Sequence, residues 1–295
     1  MTDGPDLKAR AIALYDRFTH ETHDRRAFMA DLTKLAGSAA AANALAAAIA
    51  ASPAAAAIVP ADDKRLKTSA VTWAVAAGRE MKGYMALPAK ARGKLPVVIV
   101  IHENRGLTEH IRDVARRVAL EGYIALAPDF LSIAGGTPTD ENLAREAIGK
   151  LDLAQAVADG AATVRWLRTH RYSTGKVAAM GFCWGGALTN RLAVASGTAL
   201  AAAVPYYGPA PDPAEAKQVK AAMLLHYAGI DERVNKTAQP WIDALKAAGV
   251  PTEAYFYPGA NHAFNNDTSA ERYNKAAADL AWGRTTAFLR TRLKG

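Results

Sequence analysis

Hydrophobic patterning changes character near residue 60 of the 295-residue chain. Ahead of that point Leu7, Leu14, Tyr15 and Phe18, and again Phe28, Leu32 and Leu35, recur at helical spacing. Residues 36–57 then hold 15 alanines in 22 positions, followed by Pro60 and the charged run Asp62-Asp63-Lys64-Arg65. These features predict a helical, alanine-rich extension over residues 1–60. Beyond it the pattern becomes regular. Residues 71–76 and 81–87 read as two strands around a turn at Gly78. Residues 95–101 (LPVVIVI) are a continuous, mostly β-branched run, the pattern of a strand buried on both faces. Residues 108–122 read as an amphipathic helix closed by Gly122, residues 123–127 as a strand, and residues 140–170 as helical with a break near Gly149 or Gly160. Strands over 176–182, 201–206, 222–227 and 252–257 alternate with helices over 184–196, 237–248 and 270–293. No internal repeat is visible. This alternation predicts an α/β domain over residues 61–295, with a mostly parallel central sheet and helices on both faces.

The extension has two readings. Asp24-Arg25-Arg26-Ala27-Phe28-Met29 resembles a twin-arginine export signal, with an arginine pair, a nearby Phe, a weakly apolar stretch and small residues suited to cleavage. That reading expects a periplasmic protein. Against it, three basic and five acidic side chains precede the pair, which is wrong for a positively charged leader. A retained helical extension expects a cytoplasmic one. The alanine-rich stretch is not a transmembrane span, because it has few large apolar residues and is broken by Asn43 and Pro53.

A hydrophobic content of 51% supports a sizeable core, and no disorder signature dominates the chain. The net charge of +8 lies wholly downstream of residue 60, since residues 1–60 carry six Lys/Arg and six Asp/Glu. Along the chain the basic residues stand singly or in pairs (Lys64-Arg65, Arg116-Arg117), with no run interleaved with aromatics. That argues against a nucleic-acid partner. A generic basic surface, or one that draws in an acidic small substrate, fits the same charge. The single cysteine, Cys183, excludes an intramolecular disulfide framework, a CxxC redox pair and a cysteine-based zinc site. It leaves a buried hydrophobe or a nucleophile.

In parallel sheets, ligands sit at the carboxyl ends of the strands. His102-Glu103-Asn104-Arg105-Gly106 follows the strand over 95–101, and Cys183-Trp184-Gly185-Gly186 follows the strand over 176–182. Gly229-Ile230-Asp231-Glu232 and Pro258-Gly259-Ala260-Asn261-His262 follow the strands over 222–227 and 252–257. Nucleophile, acid and base thus occur in that order, each just past a strand end. Gly181-Phe182-Cys183-Trp184-Gly185 is the nucleophile-elbow pattern G-x-S-x-G with Cys for Ser. Its flanking glycines remove Cβ atoms that would clash in the sharp turn. The backbone N–H of Trp184 and the helix N-terminus favour a thiolate and a developing oxyanion. The elbow and the downstream acid and base favour the nucleophile over the buried hydrophobe. His262 is the only histidine after Asp231. Asp231, the first acid past its strand, is preferred to Glu232 as its partner. Glu103 is either a proton acceptor for the thiol or a solvated loop acid. His20, His23, His110, His170 and His226 read as structural. Trp184, Tyr206, Tyr207 and Phe264 either line a pocket or pack the core.

Together these residues resemble the dienelactone hydrolase (carboxymethylenebutenolidase) family of the α/β-hydrolase superfamily. The closest stretch runs from Tyr172-Ser173-Thr174-Gly175-Lys176-Val177 through Gly181-Phe182-Cys183-Trp184-Gly185-Gly186-Ala187-Leu188. The resemblance covers roughly residues 68–293 and implies an α/β-hydrolase fold. It implies a triad of Cys183, Asp231 and His262. It also implies that Glu103 pairs with the resting thiol and swings on substrate binding to help generate the thiolate, with oxyanion-hole amides from Asn104 and Trp184. Family enzymes that cleave dienelactone usually carry a carboxylate-binding Arg four residues after the histidine, and here that position is Asn266. Arg145 is a counterpart of a second such Arg, and Arg105 lies near the site by motif. Tyr207 and Phe264 complete the candidate substrate-binding set.

The expected function is hydrolysis of a small-molecule carboxylic ester or lactone through a thioester, with no metal or organic cofactor. A general short-chain carboxylesterase or promiscuous acyl hydrolase is the alternative enzyme. A non-catalytic binding protein of the same fold is the alternative from another class. Oligomeric state is not legible.

Overall fold

The computed structural model describes Leu7, Arg10, Ala11, Leu14, residues 25–50 and residues 57–295. Tyr15, Phe18, His20, His23 and Pro53 lie outside the described residues. The chain divides into two units. The smaller comprises Met1–Ala56 with Asn266–Tyr273, and the larger Ala57–Asn265 with Asn274–Gly295.

In the smaller unit, helices α1 (Arg25–Ala36) and α2 (Ala39–Ala50) flank a turn in which Gly37 takes φ 79°. Phe28, Leu32 and Ala42 are buried there, and Leu35 and Leu45 are partly covered. The arginine pair of the export-like pattern opens α1. Among the described residues no helix is long and apolar enough to cross a membrane.

The larger unit is an α/β fold built on β1 (Leu66–Ala76), β2 (Arg79–Pro88), β3 (Leu95–Ile101), β4 (Ile124–Asp129), β5 (Ser173–Phe182), β6 (Ala202–Tyr206), β7 (Ala222–Ala228) and β8 (Thr252–Tyr257). Its helices are α3 (Glu109–Leu120), α4 (Glu141–Gly149), α5 (Leu153–Thr169), α6 (Trp184–Ala195), α7 (Glu232–Ala247) and α8 (Lys275–Leu293). The described strands form one sheet in the order β1-β2-β4-β3-β5-β6-β7-β8. β1 pairs β2, and β2 pairs β4, antiparallel, while every pairing from β4 to β8 is parallel.

Side chains of a strand alternate between faces, and β3 shows it. Val98 and Val100 join one buried layer with Ile111, Val114 and Val118 of α3 and Phe288 and Leu289 of α8. Val97, Ile99 and Ile101 join the other, with Val164 and Leu167 of α5, Leu188 and Leu192 of α6 and Trp241 and Leu245 of α7. The sheet is therefore covered on both faces, and loops carrying polar groups emerge only at its two edges. β1 is longer than its apolar pattern predicts. Lys67–Ala70 are exposed, but their backbone pairs with Tyr84–Leu87 of β2. A ladder of peptide hydrogen bonds needs no apolar side chains.

β4 and β5 flank β3, so the strand order reverses there. Chains leaving β3 and β5 diverge in opposite directions and open a crevice at their carboxyl ends.

Candidate active site

Cys183 lies between β5 and α6 with φ 56° and ψ −113°, outside the regions most L-residues occupy. Its N–H donates to the Tyr206 carbonyl at 3.1 Å, and its own carbonyl accepts from Ala187 N–H at 3.0 Å. These bonds tie the strained residue to both β6 and the first turn of α6. A Cβ on Gly181 would lie 2.2 Å from the Gly185 carbonyl oxygen, and one on Gly185 would lie 2.4 Å from the His102 carbonyl oxygen. Only glycine permits either approach, as the elbow pattern predicts. Cys183 is 4% exposed, at the N-terminus of α6, where the helix dipole favours negative charge.

Asp231 follows β7 and caps α7. Its Oδ1 accepts from Val234 N–H at 3.2 Å, and its Oδ2 accepts from His262 Nδ1–H at 2.5 Å. With one oxygen engaged by the cap, the carboxylate cannot rotate freely and offers the other to the ring. Both groups are buried. Burial would raise the Asp231 carboxyl, but the adjoining imidazole overrides it and holds the group below its ordinary value. Burial likewise opposes charge on His262, yet Asp231 and the Cys183 thiol together lift it to about 10. Electrostatics thus favours a protonated ring beside the buried Asp231 carboxylate.

The loop after β3 carries Glu103. The Tyr207 hydroxyl donates to Glu103 Oε1 at 3.4 Å. Tyr207 follows β6 at φ 37°, with its N–H bonded to the His226 carbonyl at 2.7 Å. Burial first, then the charges of Glu103 and Cys183, raise its phenol well above its ordinary value, so it stays a proton donor. Its ring meets His262 edge-on at 5.1 Å between centroids. Tyr207 therefore contacts both Glu103 and His262.

Sequence reasoning passed over His102. This buried ring accepts from Phe130 N–H at Nε2 (3.2 Å), so Nδ1 carries the proton and donates to the Glu103 carbonyl at 2.7 Å. Burial lowers its basicity, which keeps it neutral. It also stacks on the Trp184 indole, 5.3 Å between centroids and 11° between planes. One neutral histidine thus joins the Glu103 loop to the residue after Cys183. Farther along the loop, Leu107 N–H donates to Thr137 Oγ1 at 2.8 Å, and Thr137 is held by Asp129. The signal for His102 was the one that exposed Glu103, a polar residue directly after a buried strand.

The expected substrate-binding residues divide. Asn104 and Arg105 are half-buried in the Glu103 loop. The Arg105 guanidinium pairs with Glu141 of α4 at 2.8 Å. Arg145 lies four residues after Glu141, on the same helix face, and is half-buried. Tyr207 and Phe264 have no accessible surface; Phe264 packs against Tyr207 and Tyr257 at 5.4 and 4.9 Å, behind the site. Asn266 turns its carboxamide oxygen to Thr268, accepting from N–H at 3.0 Å and Oγ1–H at 2.6 Å. Among the described residues no group of three or more His, Cys, Asp or Glu is arranged to hold a metal ion.

Residues 81–293 match the dienelactone hydrolase family. The chain belongs to that family. A candidate carboxymethylenebutenolidase of Escherichia coli K12 is 36% identical over 222 residues, covering 70% of this chain and 81% of the relative. Another, from Saccharolobus solfataricus, is 32% identical over 249 residues, covering 72% and 95%. Among solved structures, a candidate dienelactone hydrolase from Klebsiella pneumoniae superposes with TM-score 0.66 at 33% identity, covering 75% of this chain and 98% of that one. This member of the dienelactone hydrolase family is therefore a hydrolase with the α/β-hydrolase fold. The family match begins at Met81, so β1 and everything before it lie outside it.

Proposed function

We propose that the protein hydrolyses carboxylic esters or lactones by nucleophilic catalysis at Cys183. The observation that supports this reading is the sharp elbow at Cys183, whose thiol acts on a histidine already paired with a buried carboxylate. The Cys183 thiolate attacks the carbonyl carbon and forms a C–S bond, while the carbonyl π electrons move onto oxygen. Backbone amides of Trp184 and Asn104 receive that oxyanion, a kind of interaction worth about 3 kcal/mol per donor. The intermediate collapses with cleavage of the C–O bond, and the leaving alkoxide takes the proton from His262. A thioester remains. Neutral His262 then removes a proton from water, the hydroxide adds to the thioester, and cleavage of the C–S bond releases the acid and restores the thiolate. Asp231 orients the ring and stabilises imidazolium throughout. Glu103, held by Tyr207, accepts the thiol proton when substrate enters.

Two observations favour substrates beyond dienelactone. Asn266 stands where family enzymes that cleave dienelactone carry an arginine, and Arg105 is already paired with Glu141. We therefore favour short-chain and neutral esters among the substrates. Purified Cys183→Ala should lose p-nitrophenyl ester turnover almost completely while keeping its fold by circular dichroism. Turnover near the wild-type rate would exclude Cys183 as nucleophile. A panel of neutral esters against anionic lactones should give higher kcat/KM for the neutral set. Burst labelling of Cys183 without turnover would support a non-catalytic binding role instead.

A further inference from the structure

Basic residues that stand apart in the sequence converge at the edge of the sheet opposite Cys183. β3, β4 and β5 are parallel, so their starts share one edge, while Glu103 and Cys183 follow the ends. The length of β3, at ~3.3 Å per residue, sets these edges about 20 Å apart. At the starting edge a cavity of about 580 Å³ is lined by Lys67, Lys94, Arg171 and Tyr172 over a floor that includes Leu95 and Ile124. A second cavity, about 780 Å³, shares Leu95 and adds Lys64, Arg65 and Lys90. No Asp or Glu lines either cavity.

Arg65 is neutralised by Asp63 at 2.6 Å. Lys67, Lys90 and Lys94 are exposed and make no ion pair among the described residues. Arg171 lies over the ring of Tyr172, 4.5 Å from its centroid, and Tyr172 is 44% exposed. Like charges gathered without acids repel one another, and an anion among them removes that cost. The volume falls in the range of small-molecule sites, about 300–1,000 Å³. Cations at the rim and an apolar floor with an aromatic face call for two features in one ligand. Its head is a carboxylate or phosphate, and its body is flat and apolar.

We propose that this cavity binds a small organic anion with a planar apolar body, of the aromatic carboxylate class, at a site separate from Cys183. The inference stands whatever nucleophile the hydrolase uses. The test is a titration of the full chain, labelled with carbon-13 at isoleucine δ-methyls, with benzoate. Ile124 lines the cavity and Ile101 ends β3 at the Cys183 edge. The Ile124 methyl should shift saturably while Ile101 stays still, and benzamide, its uncharged analogue, should leave Ile124 unmoved. The double variant Lys94→Glu, Arg171→Glu should weaken benzoate binding about tenfold or more, with p-nitrophenyl acetate hydrolysis unchanged. Equal responses to benzoate and benzamide would overturn the proposal. So would undiminished affinity in the double variant, or a still Ile124 methyl at tens of millimolar benzoate. If the double variant does not fold, Lys67→Ala and the benzamide comparison decide the same question.

Discussion

Three non-glycine residues among those described hold a positive φ: Cys183 at 56°, Tyr207 at 37° and Ala263 at 63°. One is the proposed nucleophile, one reaches Glu103, and one follows the proposed base. Such conformations cost of order 1–3 kcal/mol each and persist only where the surroundings over-determine them. Here the determinants are visible: Cys183 N–H on Tyr206, and Tyr207 N–H on the backbone of His226. The elbow was legible in the sequence because its glycines are spaced around the cysteine. Tyr207 was legible only as an aromatic, since nothing local shows that its hydroxyl reaches a carboxylate 104 positions away. At this scale Glu103→Gln is the telling substitution. It should lower kcat about a hundredfold and shift the acid limb of the pH–rate profile, with an unchanged thermal midpoint. A profile superimposable on wild type would remove Glu103 from thiol activation.

Elements follow their caps more closely than their apolar spacing. The helical stretch over 140–170 breaks at residues 150–152, because Asp152 turns its carboxylate onto Ala154 and Gln155 N–H and starts a new helix. Gly160 stays inside α5, where a Cβ would sit 3.3 Å from a Leu192 methyl, so it serves the contact with α6. α7 begins five residues before its expected start at Thr237, since Asp231 caps it. The closing helix begins at Lys275 instead of residue 270, capped by Asn274 on Ala277 N–H. One carboxylate, Asp231, thus both starts a helix and aims at His262. The exposed cap Asp152 carries only the first duty. Asp152→Ala should cost about 1 kcal/mol in urea denaturation and leave ester turnover unaltered. A loss of turnover without a loss of stability would show that α5 does more than cover the sheet.

Across the whole molecule, a buried network underlies the site. His226 of β7 meets the Tyr257 hydroxyl at Nδ1 (2.8 Å) and Thr285 Oγ1 at Nε2 (3.0 Å), joining β8 and α8 beneath Tyr207. Burial, with Arg284 reinforcing it, pushes His226 down to about 3 from its ordinary 6.5. The folded chain keeps this ring neutral, whereas the unfolded chain protonates it below 6.5. Its contribution is therefore intact above pH 6.5 and falls, by roughly 1 kcal/mol per pH unit, between 6.5 and 3. His226→Gln should flatten that slope in denaturant titrations across this window, whatever its stability at pH 7. An unchanged slope would mean that other groups set the acid sensitivity.

By itself, the sequence determined the layered α/β architecture, the glycine-flanked turn at Cys183 and the chain order of the proposed nucleophile, acid and base. Each depends on local periodicity or on residues within a few positions of one another. Only the tertiary structure decided that β4 lies between β2 and β3, that His102 joins the Glu103 loop to Trp184, and that scattered lysines gather at one edge. Those relations arise when strands distant in sequence pair and their loops emerge together. Their physical cause is burial of two apolar sheet faces, which the chain specifies by pattern but which selects neighbours only once the sheet is assembled.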